Sequence, residues 1–110
     1  MLNQVVLVGR ITKELELKEL ESGKKVCNMT IAVPRSFKNQ DGEYETDFIK
    51  CTLWQPIADN VVEYCRKGDL VGIRGRLQTK TIEKEDGIEN TITEVIAEKV
   101  SFLSGKKVDN

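Results

Sequence analysis

Two aromatic rings and a cation fall on one side of residues 47–54 if this segment is a strand. Side chains of a strand alternate between its two faces. One face would carry Ile49, Cys51 and Leu53, and the other would carry Phe48, Lys50, Thr52 and Trp54. The first set suits a core, whereas the second combines rings that can stack on bases with a lysine that can neutralise a phosphate. The mixed row is therefore a candidate surface for unpaired nucleotides, with the alternative that Phe48 or Trp54 packs beneath a loop.

A second group of such residues lies in the polar segment 35–46. We predict that these twelve residues form a loop, and loops of that length in compact domains tend to be functional or disordered. Phe37 is bracketed by Arg35 and Lys38, so its ring could stack on a base while the cations hold the phosphates. The alternative is that Phe37 tucks against the sheet. Asp41 and Gly42 mark a hairpin tip within the segment.

The overall charge of the chain does not by itself point to nucleic acid. There are 17 basic and 18 acidic residues, which gives a net charge of −1, and this balance argues mildly against a nucleic-acid binder. Glutamates collect in residues 14–21 and 83–89, however, and a segregated surface can hold a local positive groove. Each cation alone could equally belong to an ordinary solvated face. Cations on or beside the candidate contact segments are Arg35, Lys38, Lys50, Arg74, Arg76 and Lys80.

Composition narrows the class of protein. The 110 residues are enough for one domain with one core. Three cysteines and no histidine disfavour a disulfide framework or a zinc site, and no carboxylate pair suggests acid–base catalysis. We therefore predict no enzymatic activity, no cofactor and no metal. No segment has the ~20 apolar residues of a membrane span, and we expect a cytoplasmic, nucleoid-associated protein with buried thiols.

The remaining patterns predict an all-β domain with one helix. Strands are expected at residues 3–18, 25–33, 47–54, 69–79 and 91–103, with a long hairpin arm at 80–90. Pro34 is expected to end the second strand, and Leu77 is expected to face inward. The helix is predicted at about residues 56–67, with Gly68 as its left-handed cap. Five strands with a helix between the third and fourth follow the order of an OB-fold, a Greek-key barrel that binds oligonucleotides or oligosaccharides.

Several short motifs follow one another along the chain. They are MLNQVVLVGR at residues 1–10, IAV at 31–33 with RSF at 35–37, DFI at 47–49, RKG at 66–68 and GRLQTK at 75–80. In this order and at this spacing they resemble the bacterial single-stranded DNA-binding protein family, from Met1 to about Leu103. The resemblance implies an OB-fold domain at residues 1–103 that binds and protects single-stranded DNA in replication, repair and recombination. It also implies a homotetramer, with a dimer as the alternative.

The resemblance further assigns roles to individual residues. The family's stacking positions map onto Phe37, Phe48 and Trp54, two of which the alternation of residues 47–54 had already singled out. The family's phosphate-contacting cations map onto Arg10, Arg35, Lys38, Arg74, Arg76 and Lys80. The candidate DNA-binding residues are therefore Arg10, Arg35, Phe37, Lys38, Phe48, Lys50, Trp54, Arg74, Arg76 and Lys80.

Two features depart from the family pattern. Ile82 stands in the last hairpin arm where the family usually has an aromatic residue, so stacking there is expected to be weaker by ~1 to 3 kcal/mol per lost base contact. Residues 104–110 carry only Asp109 as an acidic residue, in place of the family's long acidic tail. We expect a short disordered extension there, without recruitment of tail-dependent replication and repair partners. Such an end fits either an engineered truncation or a naturally short member, for example from a mobile element.

Two other ligands stay open. An adapter protein with the same fold would hold a protein partner on this sheet, although a row of rings and cations suits bases better. RNA is also possible, because stacking and phosphate contacts do not distinguish the two nucleic acids unless a residue reads the 2′-hydroxyl.

Overall fold

Six strands and one helix make up residues 1–104, the part of the chain that this computed structural model describes. The strands are β1 (Val5–Ile11), β2 (Leu17–Glu19), β3 (Lys25–Lys38), β4 (Tyr44–Trp54), β5 (Leu70–Glu83) and β6 (Glu89–Phe102), and helix α1 (Ile57–Tyr64) lies between β4 and β5. The predicted C-terminal extension lies outside the described residues, apart from Ser104.

The five long strands close into a barrel. They are neighbours in the order β1, β5, β6, β4 and β3, and β3 returns to β1 through the pairs Arg10↔Ala32 and Ile11↔Ile31. Pairing is antiparallel except between β4 and β6, which run parallel, and the short β2 pairs with the start of β3. A five-stranded closed barrel with a helix before its fourth long strand is an OB-fold. The predicted all-β fold is confirmed.

The apolar row of β4 faces the core, as its alternation predicts. Cys51 and Leu53 are buried, and Ile49 is half-buried against the same cluster. Helix α1 covers this cluster with Ala58 and Val61. All three cysteines are buried, and burial raises the pKa of the Cys51 thiol to about 12. A buried neutral thiol is a poor nucleophile, so Cys51 serves as packing.

The prediction that Pro34 ends a strand is wrong. Strand β3 continues to Lys38, and Pro34 pairs with Thr46 across the sheet. The register shifts between Pro34 and Lys38, and such an irregularity tolerates a residue that cannot donate a backbone hydrogen bond. The predicted loop 35–46 is therefore a second hairpin arm, whose turn is closed by the bond from the Asn39 N–H to the Glu43 carbonyl at 2.8 Å. Gly42 has φ +78° in this turn, as the predicted tip requires.

Two element boundaries and the facing of one side chain also differ from the predictions. Helix α1 ends at Tyr64, so Gly68, with φ +94°, shapes the turn into β5 and does not cap the helix. The first predicted strand is interrupted between β1 and β2. Leu77, expected to face inward, is 47% exposed and lies beyond the last pair of β1 with β5, Val5↔Gly75.

Candidate nucleic-acid interface

The outer row of β4 presents rings and a lysine to solvent. Phe48 is 66% exposed and Trp54 is 37% exposed, whereas Leu53, between them in the opposite row, is 0% exposed. Lys50 is exposed between the two rings. The alternation predicted from the sequence is confirmed for Phe48, Lys50 and Trp54, and it aligns two stacking surfaces and a positive charge along one strand.

Tyr44 adds a third ring to this row. Because β4 begins at Tyr44, and side chains on one face recur every two residues, Tyr44 shares the face of Phe48 about 13 Å away. The ring is 58% exposed, and the Lys38 ammonium lies 5.8 Å from its centre. Tyr44 was not predicted as a site residue because segment 35–46 was interpreted as a loop. Extending the alternation of β4 from Phe48 back by four residues would have identified it.

A cleft runs between the outer face of β3 and β4 and the β5–β6 arm, the hairpin predicted at residues 80–90. It is lined by Lys13, Asn28, Met29, Thr30, Lys50, Cys51, Thr52, Lys80, Ile82, Ile92 and Glu94. The structure thus brings two predicted cations, Lys50 and Lys80, to one cleft and adds a third, Lys13. Lys13 follows β1 in an irregular segment, and no pattern in the sequence singles it out. The side chains of Ile82 and Ile92 form an apolar wall of the cleft. The family usually has an aromatic residue at the position of Ile82.

The floor of the cleft carries a hydrogen-bonded carboxylate. Thr52 belongs to the outer row but is only 7% exposed, because its hydroxyl donates to Glu94 Oε1 at 2.6 Å. The same oxygen lies 3.7 Å from the Lys80 ammonium, and the Glu94 side chain is 11% exposed. Thr52 was expected in the outer row, but it is not exposed there. It forms a buried polar contact between β4 and β6.

Cross-strand pairs place two more cations on the aromatic face. Arg10 pairs with Ala32, and Ala32 pairs with Phe48, so Arg10 stands two strands from Phe48 on the same face, about 10 Å away. Lys18 is related to Trp54 in the same way, through Val26. The sequence pointed to Arg10 only through the resemblance, and it gave no signal for Lys18 because strand register decides which residues become neighbours.

Arg35 is held by carboxylates on the opposite face of the arm. Its guanidinium contacts Asp47 through two hydrogen bonds and Glu45 through one at 2.9 Å. Both acids belong to the row of β4 that alternates with Phe48. The bond to Asp47 raises the pKa of Arg35 and lowers the pKa of the Asp47 carboxyl. Arg35 thus lies away from the rings, and its charge is already balanced.

The remaining predicted residues lie outside the cleft lining. Phe37 is 67% exposed near the end of β3. Arg74 is exposed on β5 opposite Val6 of β1. Arg76 pairs with Glu98 at 3.4 Å and donates to the Gln78 side chain at 2.8 Å.

Two classes of feature are absent from residues 1–104. No group of three or more histidine, cysteine or acidic side chains could hold a metal ion in this part of the chain. Likewise, α1 is too short to cross a membrane, and the described chain has no longer helix.

Comparison with known proteins identifies the family. Residues 2–103 match the Single-strand binding protein family. The chain is 49% identical over 106 residues to Single-stranded DNA-binding protein B of Bacillus subtilis, covering 96% of this chain and 94% of that protein. It is 50% identical over 103 residues to the Single-stranded DNA-binding protein of Bacillus cereus, covering 94% of this chain and 61% of that protein.

A solved structure agrees with these relatives. The Plasmodium falciparum SSB in complex with ssDNA superposes with a TM-score of 0.81 at 29% identity, covering 94% of this chain and 96% of that chain. The family match at residues 2–103 includes all six strands described above. The chain belongs to the single-strand binding protein family, whose members are non-enzymatic DNA-binding proteins.

Proposed function

We propose that the protein binds single-stranded DNA without sequence preference and protects it. The observation that carries this proposal is the outer row of β4, where Phe48 and Trp54 are exposed on the same face as Lys50. Every base has a flat face, so stacking on rings tolerates any sequence, while lysines neutralise the backbone. No reacting group is needed for this function.

The cations divide by their surroundings. Lys13, Lys50 and Lys80 line the cleft, and Arg10 and Lys38 lie on the aromatic face. We expect this group to supply most of the phosphate contacts, with Lys80 contributing less than the others because it pairs with Glu94. Arg35, Arg74 and Arg76 stay predicted contacts with a smaller share, because Arg35 and Arg76 already pair with carboxylates and Arg74 faces the β1 side of the barrel.

Relatives support the nature of the ligand. The Bacillus proteins that resemble the chain are named for single-stranded DNA, and the Plasmodium falciparum protein was solved with it. Proteins with this activity act in replication, repair and recombination. We therefore expect the protein to act on exposed strands of the nucleoid, through one domain at residues 1–103.

Self-association is the second part of the proposal. Val6 is 70% exposed and Val8 is 49% exposed, and within residues 1–104 strand β3 pairs with β1 only at Arg10 and Ile11. The rest of β1 therefore presents an open apolar edge, which is a template for pairing with a second copy. We expect a homotetramer, with a dimer as the alternative. Light scattering should give a mass of several chains, and a monomer at micromolar concentration would contradict this part.

The single tryptophan allows a direct test of binding. Titration with oligo(dT) should quench Trp54 emission, and the logarithm of affinity should fall with the logarithm of salt by about 0.7 per neutralised phosphate. A parallel titration with oligo(U) tests whether RNA is also bound. A protein that shows neither quenching nor a salt dependence with oligo(dT) would contradict the proposal and favour an adapter that holds a protein partner.

A further inference from the structure

Glu94 is a carboxylate in the middle of the proposed DNA cleft. Its side chain is 11% exposed and lies 3.7 Å from the Lys80 ammonium. Its Oε1 also accepts the Thr52 hydroxyl hydrogen bond at 2.6 Å. A negative group at this place is unexpected in a cleft whose other charged lining residues are Lys13, Lys50 and Lys80.

The position of Glu94 is fixed by the strands around it. The parallel pairing of β4 with β6 consists of Cys51↔Val95 and Thr52↔Ile96, so Glu94 stands immediately beyond the end of this short ladder. The residues of β6 before Glu94 belong to the β5–β6 arm, and those directly after it pair with β4 in the barrel. The hydrogen bond from Thr52 anchors the carboxylate at the base of the arm, and it therefore cannot swing out of the cleft freely.

Because the Glu94 carboxylate is held in place, it competes with DNA phosphates for Lys80. A phosphate that approaches Lys80 must displace the ion pair and also meets the charge of Glu94 at short range. Partial burial strengthens this repulsion, because fewer water molecules screen the charges. Lys50 differs in this respect, since it forms no ion pair with any described residue.

We propose that Glu94 attenuates the affinity for single-stranded DNA by holding Lys80 in a competing ion pair. This inference rests on the proposed function and names a residue that sets its strength. The attenuation keeps the complex weaker than the lysines alone would make it. A weaker complex dissociates faster, so the protein would leave the strand more readily.

The substitution Glu94→Gln isolates the charge. Glutamine retains an oxygen that accepts the Thr52 hydrogen bond, so the contact at the base of the arm is kept while the competitor for Lys80 is removed. We expect oligo(dT) to bind about three- to tenfold tighter, since ion pairs of half-exposed lysines have small free energies. The salt dependence should steepen by about 0.7, because Lys80 then neutralises one more phosphate.

Two further variants make the assignment specific. Glu63→Gln removes the same charge from the exposed face of α1, and it should leave affinity and salt slope unchanged. In a Lys80→Gln background, Glu94→Gln should lose its effect on the salt slope, because the lysine that it frees is gone. This coupling would not arise from a purely structural role of Glu94.

The outcome can be separated from that of the proposed function. If wild-type protein does not bind oligo(dT), the proposed function fails. If wild-type protein binds, but Glu94→Gln binds with equal or lower affinity and the same salt slope, the inference about Glu94 is wrong and the proposed function still stands. If Glu94→Gln does not fold, the single variants decide: Lys80→Gln should lower the salt slope less than Lys50→Gln, and an equal or larger loss would overturn the inference.

Discussion

Arg35 and Asp47 form a two-point contact across the β3–β4 arm, with Nε to Oδ2 at 3.1 Å and Nη2 to Oδ1 at 2.9 Å. The same guanidinium reaches Glu45 at 2.9 Å. Arg35 was predicted to contact phosphate, but its guanidinium instead joins the two strands of the β3–β4 arm. Its parallel hydrogen bonds have the fixed geometry that guanidinium and carboxylate favour.

The Arg35 contact predicts a pH dependence for Asp47. Hydrogen bonding to the guanidinium lowers the pKa of this carboxyl from its ordinary 3.8. The contribution to stability is therefore complete above pH ~4 and is lost as the pH falls through the lowered pKa. Carboxyl NMR titration should find the Asp47 pKa below the ordinary value, and Arg35→Gln should raise it. An Asp47 pKa that is the same in both proteins would contradict the contact.

Arg35 and Lys50 should differ as DNA ligands. Lys50→Gln removes an exposed cation from the aromatic face, so the salt slope of oligo(dT) binding should become shallower by about 0.7. Arg35→Gln should leave this slope nearly unchanged, because two carboxylates already balance the guanidinium. Both slopes can be measured by Trp54 quenching over a range of salt. Equal losses from the two substitutions would show that Arg35 contributes as much as Lys50 and would contradict its smaller share.

Removal of a ring from the outer row should weaken binding without unfolding the protein. Phe48→Ala and Tyr44→Ala should each cost about 1 to 3 kcal/mol of binding free energy if a base stacks there. Their melting temperatures should change little, because both side chains are more than half exposed. Tyr64→Ala is a matched control, since Tyr64 is also exposed but lies on α1 against Phe102. If Tyr64→Ala weakened binding and Phe48→Ala and Tyr44→Ala did not, the outer row of β4 would not be the stacking surface.

A ring introduced at the arm should strengthen binding. Ile82 is 41% exposed and lines the cleft, so Ile82→Trp would offer a stacking surface opposite Lys50. We expect affinity for oligo(dT) to rise by up to about 1 to 3 kcal/mol. Because Ile82→Trp adds a second fluorophore, competition against a labelled oligonucleotide is the cleaner measurement. An unchanged affinity would show that bases do not enter this part of the cleft.

The inner row of β4 should determine stability and leave DNA contacts alone. Leu53 is 0% exposed, so Leu53→Ala should lower the free energy of unfolding by about 2 to 5 kcal/mol. Ile49→Ala should cost less, because Ile49 is only half-buried at the edge of the core. Urea unfolding measures both values. A larger loss for Ile49 than for Leu53 would be inconsistent with this packing.

The local sequence pattern predicted the two faces of β4 correctly. It did not predict the course of β3 after Pro34, where the register shifts. The alternation of Phe48, Lys50 and Trp54 with Ile49 and Leu53 predicts both faces of the strand correctly, since the period of a strand is a local property. Pro34 was expected to end β3 because proline removes a backbone donor. In the folded chain the register shift after Pro34 absorbs that loss, which local pattern does not reveal.

The sequence by itself determined the all-β barrel, the order of its elements and the rings and lysine of the outer row. These depend on spacing, turn residues and the separation of apolar from polar positions, which are readable along the chain. Only the tertiary structure decided that Lys13 and Lys80 share a cleft, that Glu94 lies between Thr52 and Lys80, and that Arg35 faces Asp47. Such neighbours come from different strands, and their meeting is set by register and barrel closure, which no single stretch of sequence encodes.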